Sequence, residues 1–124
     1  MYIFKSKWFS KWAEKECLTD HALQETIREL GEGLNDGELG GHVYKKRAAI
    51  QGQGKRGGFR TIVAFKVGDK SFFMFGFSKN QRDNIGKKEL KTLKLMAKEL
   101  LGYSDIQLKK AIESGELIEV INHE

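Results

Sequence analysis

Residues 71–78 read Ser-Phe-Phe-Met-Phe-Gly-Phe-Ser, and this run constrains the fold more than any other stretch of the chain. Successive side chains of a strand point to opposite faces. Phe72, Phe73, Phe75 and Phe77, with Met74, therefore make both faces apolar, the pattern of a central strand covered on each side. The phenylalanines read as core rather than as a platform for stacking bases. Phe59 to Val67 is a second strand, and the short Gly68-Asp69 turn joins the two as a hairpin. The rest of the chain has to supply the two covers.

Helical periodicity supplies them on both sides of the hairpin. Met1 to Lys5 reads as a short strand, and Ser6 to Glu16 as a helix with Trp8, Phe9, Trp12 and Ala13 on one side. Thr19 or Asp20 caps a second helix, whose stripe is Leu23, Ile27, Leu30 and Leu34. These two are expected to form an antiparallel hairpin. Asn35-Asp36-Gly37 and Gly40-Gly41 mark a loop, His42 to Ile50 a strand, and Gln51 to Gly58 a Gly-rich loop. After the hairpin, Lys87 to Leu101 is a helix with Leu90, Leu93, Ala97 and Leu100 inward. Ser104 and Gln107 match a capping box that opens another helix, ended by Gly115, and Leu117 to Ile121 is a last strand. The order β-α-α-β-β-β-α-α-β indicates one α+β domain over residues 1–124. Its sheet is mostly antiparallel, with an N-terminal helical hairpin and C-terminal helices.

Charge narrows the function. Between Leu39 and Gly68 there is no Asp or Glu, whereas Lys45, Lys46, Arg47, Lys55, Arg56, Arg60 and Lys66 give +7. The whole chain is +5, so the remainder is −2 and this segment carries the excess, which points to a polyanionic partner. No apolar run approaches a membrane span, and Met1-Tyr2-Ile3-Phe4 is too short for a signal sequence, so a cytoplasmic protein without a membrane partner is expected. Cys17 is the single cysteine and His21, His42 and His123 have no ligand spacing, so no metal and no other cofactor is expected.

Gly52-Gln53-Gly54-Lys55-Arg56-Gly57 fits G-x-G-x-x-G by letter, but a strand follows it where a dinucleotide site needs a helix. No Ser or Thr follows Lys55, so a phosphate-binding P-loop fails too. Glycines here instead permit close approach of a nucleic-acid backbone. Antiparallel pairing of the hairpin sets Arg60 beside Lys79 and Asn80, and Lys45 and Arg47 share a face of the preceding strand. With these residues in place, GQGKRGGFRTIVAF and FSKNQRDNI resemble the RelE/HigB toxins of toxin–antitoxin systems, and the element order resembles them over nearly the whole chain.

The resemblance implies a RelE fold, RNA cleavage on the translating ribosome and neutralisation by a cognate antitoxin encoded by a neighbouring gene. Its basic positions map to Lys45 or Arg47, to Lys55 and Arg56, to Arg60 and to Lys79. The late tyrosine of some members has no counterpart here, since Tyr103 lies beyond a long helix. Metal-free chemistry is expected: the RNA 2′-hydroxyl attacks the neighbouring phosphate. Arg60 is expected to steady the phosphate and Lys55 to act as base. Free lysine titrates near roughly 10.4, and the cations Arg56, Arg60 and Lys79 lower that value. Arg56 or Lys79 orients the leaving side, and Lys45, Lys46, Arg47, Asn80 and Arg82 contact RNA. Asp83 is expected to pair with Arg82 or to cap a helix. Two other readings stay open: a ParE-like toxin acting on DNA gyrase, and an RNA-binding module without catalysis.

Overall fold

The computed structural model describes residues 2–50 and 54–121, and for residues 49, 50 and 54–57 the backbone alone. Along the chain run β1 (Ile3–Ser6), α1 (Lys7–Lys15), α2 (Asp20–Gly31), β2 (Gly37–Gly40) and β3 (Val43–Ile50). Then come β4 (Gly54–Phe65), β5 (Ser71–Ser78), α3 (Lys87–Leu101), α4 (Asp105–Glu113) and β6 (Leu117–Glu119). The strands form one open sheet in the order β2-β3-β4-β5-β1-β6. Only β1 and β5 pair in parallel; the other neighbours are antiparallel.

The phenylalanine strand sits where its pattern requires. Phe72, Met74 and Phe77 pack with Val43, Ile62 and Leu93 on the α3/α4 face. Phe73 packs with Phe9, Leu23 and Val63 on the α1/α2 face. Each such ring removed from water contributes roughly 1.5–3 kcal/mol. The caps follow from single side chains. Ser6 Oγ accepts from Phe9 N–H at 3.0 Å, and Thr19 Oγ1 from Ala22 N–H at 3.2 Å. Asp20 instead takes Lys5 Nζ at 2.8 Å and Ile121 N–H at 3.0 Å, tying α2 to β1 and to the end of the chain. Ser104 and Gln107 close the expected capping box of α4.

The helical hairpin is not confirmed: α1 packs mainly on β5 and α2 on β3, because each apolar stripe finds the sheet. Three expectations are corrected. Leu34 lies beyond the end of α2 and is exposed, so the stripe stops at Leu30. The loop through Gly40 contains the edge strand β2, and β4 begins at Gly54 rather than Phe59. Pairing with β3 overrides the turn propensity of glycine in both.

Gly76 lies against α1, where a Cβ would overlap the Trp12 ring at Cζ3. The indole cannot retreat, because it is wedged edge-on against Phe59 at 5.2 Å and beside Phe9 at 5.4 Å. Gly76→Ala is expected to destabilise the protein by about 1–3 kcal/mol through overpacking. A urea midpoint measures this, and adding Trp12→Leu should recover most of the loss. An unchanged midpoint for Gly76→Ala alone would contradict the packing.

Candidate functional site

Strand register builds a cationic row. Arg47 pairs with Arg60, and Arg60 with Phe77, so the three lie side by side across β3, β4 and β5. Lys45, Ile62 and Phe75 form the next row. Alternation turns both rows to the face whose core holds Val43 and Ile62. Arg47 is exposed and Arg60 half-buried, so the helical cover of that face stops short of the arginines.

The two arginines differ in what they hold. Arg47 donates from Nε to Asp36 Oδ1 at 3.1 Å and from its backbone N–H to Asp36 Oδ2 at 2.7 Å. Burial works to raise the Asp36 carboxyl. The Arg47 N–H, the Arg47 guanidinium and the Lys46 ammonium outweigh it and hold the carboxyl below its ordinary value. Nη1 of Arg60 has no such acceptor among the described residues and is buried. A buried donor left unmade costs about 1–3 kcal/mol.

Lys79 and Asn80 are exposed in the turn that leaves β5, closed by Gln81 N–H to Ser78 C=O at 3.1 Å. Ser78 pairs with Phe59, so this turn adjoins the Arg60 end of β4, as the hairpin reading requires. Lys55 and Arg56 lie on β4 rather than in the expected loop, of which residues 51–53 fall outside the described residues. Ala48 pairs with Phe59 and Ile50 with Gly54, so two steps of β3 face five of β4. Residues 55–58 therefore belong to a wide irregularity at the same end of the sheet, the kind of feature that re-aims side chains beside a site.

Two of the expected RNA contacts are engaged elsewhere. Lys46 is buried on the α2 side, with Nζ 3.3 Å from Glu29 Oε1, because alternation sends it away from Lys45 and Arg47. Arg82 forms a two-pronged ion pair with Glu89, donates from Nε to Asn84 C=O at 3.0 Å, and lies over the Phe77 ring at 5.5 Å. Its partner is thus Glu89 and not the expected Asp83. The Arg82 hydrogen bond and then the Gly86 N–H hold the Glu89 carboxyl down at about 2, so the same group caps α3 and fixes Arg82. The sequence reading missed Asp36, Glu89 and Phe77. The capping spacing from Gly86 to Glu89 was the one signal available.

Among the described residues no group of three or more His, Cys, Asp and Glu is placed to hold a metal ion, and no helix is long and apolar enough to cross a membrane. His42 stands near the start of β3, at the opposite end from Arg47, and is not part of the row.

The described residues form a six-stranded α+β fold in which Arg47 and Arg60 stand side by side on one sheet face. The chain belongs to the RelE toxin family: the family described as the RelE toxin of the RelE/RelB toxin–antitoxin system matches residues 1–120. It is therefore a toxin of a toxin–antitoxin system, and a cognate antitoxin is its partner. No curated protein matches the chain.

Proposed function

We propose that this toxin is a cytoplasmic endoribonuclease that cuts messenger RNA on the translating ribosome without a metal ion. The observation that carries the reading is the buried Nη1 of Arg60 beside Arg47, without a hydrogen-bond partner among the described residues. A guanidinium with a free N–H suits a phosphate oxygen and strengthens as negative charge builds on it. In the reaction the 2′-oxygen bonds to phosphorus, the bond to the 5′-oxygen breaks, and the proton leaves the 2′ side for the 5′ side. Lys55, at the irregular start of β4, takes the 2′ proton. Arg60 holds the phosphate, and Arg56 or Lys79 serves the leaving oxygen. Lys45, Arg47 and Asn80 line the approach of the strand.

The products test it. Translated message treated with the protein should yield 2′,3′-cyclic phosphate or 3′-phosphate ends together with 5′-hydroxyl ends. Cleavage should continue in excess chelator once ribosome integrity is controlled. Ends bearing 5′-phosphate, or activity restored only by one added divalent ion, would point to metal-assisted hydrolysis. Intact message beside poisoned DNA gyrase would replace the reading altogether.

A further inference from the structure

Between residues 87 and 98 the helix α3 carries five lysines and one carboxylate, Glu89, which is engaged by Arg82. Lys87, Lys91, Lys94 and Lys98 fall at i, i+4, i+7 and i+11 and so share one helix face. Leu93, Ala97 and Leu100 turn a different face to the core. Solvated helix faces usually mix signs at three- and four-residue spacing. Here every such neighbour of Lys91, Lys94 and Lys98 is a lysine, a glycine or an apolar residue. Like charges at that spacing destabilise a helix, so the stripe works against folding unless something anionic meets it.

The surroundings make the stripe one wall of a groove. Lys91, Lys94 and Lys98 line an open, mostly apolar cavity of about 570 Å³ with Gly41 and His42 of the β2–β3 turn, exposed Leu95, Leu101 and Gly102. Gly40, Gly41 and His42 all have left-handed φ, at +92°, +62° and +64°, and a Cβ on Gly40 would come within 3.1 Å of Lys94 Nζ. The other end of α3 is tied to the arginine row. Arg82 fastens the first turn of α3 over Phe77, which lies in register with Arg60 and Arg47. Eleven residues of helix then carry the stripe back roughly 16 Å to the β2–β3 turn.

We propose that the Lys87–Lys98 face of α3 is a second RNA-binding track, which grips sugar–phosphate backbone away from the point of cleavage. It rests on the reading that this toxin acts on RNA. Its occupant is the message, because the stripe starts at the turn of α3 that Arg82 fastens over Phe77, the register partner of Arg60.

The test compares the wild type with Lys91→Gln/Lys94→Gln/Lys98→Gln in a salt series. One arm uses a single-stranded RNA with 2′-O-methyl sugars, which 2′-hydroxyl attack cannot cut. The other uses vacant small ribosomal subunits at fixed magnesium. Glutamine is a good helix former, Lys91 and Lys98 are exposed and Lys94 is half-buried, so the helical signal should be unchanged. Losing three phosphate contacts should make the slope of log K against log salt shallower by about 2, with affinity at low salt roughly tenfold weaker. Loss in the oligonucleotide arm supports the track, and loss with the subunits alone would overturn it in favour of a ribosomal RNA contact. Unchanged affinity and slope in both arms would overturn the track. So would a variant that keeps both RNAs but no longer binds poly-glutamate, which would make the face a dock for an acidic protein segment. Cleavage is scored separately. A wild type that binds RNA through these lysines yet leaves translated message intact would sink the nuclease reading and leave the track standing.

Discussion

Arg60→Ala is expected to slow message cleavage by about 10²–10³-fold, the usual loss when one donor to a developing anion is removed, and to abolish growth inhibition. Stability should stay level or rise. A structural arginine loses hydrogen bonds when truncated, but Nη1 of Arg60 makes none among the described residues and is buried. Removing an unsatisfied donor lifts a penalty instead of creating one. Function sites often carry such penalties. Arg60→Lys sharpens the test, because it keeps the positive charge and loses the planar fork. It should recover only part of the rate. Two measurements decide: the cleavage rate on translated message, and the midpoint of thermal unfolding. Full toxicity of Arg60→Ala at equal expression would remove Arg60 from the site. A large fall in the unfolding midpoint would make it a structural residue.

The parts legible in the sequence are those where one element's own side chains decide its state. β5 carries its double cover in Phe72, Phe73 and Phe77, and its bounds at residues 71–78 agree between sequence and structure. The same holds for α3 at residues 87–101, where Leu93, Ala97 and Leu100 set the inward face. β2 is different. Gly37 and Gly40 bound only Glu38 and Leu39, too few for a period, and the strand exists because β3 pairs with it. The early start of β4 has the same cause. At the site, antiparallel register was enough to set Arg60 beside the Lys79 turn. Pairings made across a loop were not readable: Arg82 finds Glu89 seven residues on, over Phe77. Charge counted along the chain also hides what a helix collects. The Leu39–Gly68 excess is plain in a linear window, whereas the α3 lysines become a stripe only at 3.6 residues per turn.

Glu29→Ala is expected to destabilise the protein by about 3–5 kcal/mol, the cost of leaving a buried charge without its partner. Lys46 is a basic residue within the cationic segment, yet its side chain is 6% exposed and that of Glu29 is 11% exposed. Its backbone is fixed as well, since Thr61 Oγ1 donates to Lys46 C=O at 2.7 Å. Strand alternation keeps the side chain on the α2 side when Glu29 is truncated. Against a total of about 5–15 kcal/mol for a domain, this loss should be visible as a much lower urea midpoint. The intact pair need not be strongly stabilising, because desolvation offsets most of the attraction. Glu29→Leu/Lys46→Met should accordingly regain most of the midpoint. That double variant also separates structure from function. With Lys46 facing α2, it should cleave message at the wild-type rate, whereas a lysine that contacts RNA would take activity with it. A Glu29→Ala midpoint within about 0.5 kcal/mol of wild type, the range of an ordinary surface change, would show that the pair is not buried in solution. A stable double variant without activity would return Lys46 to the RNA-binding face.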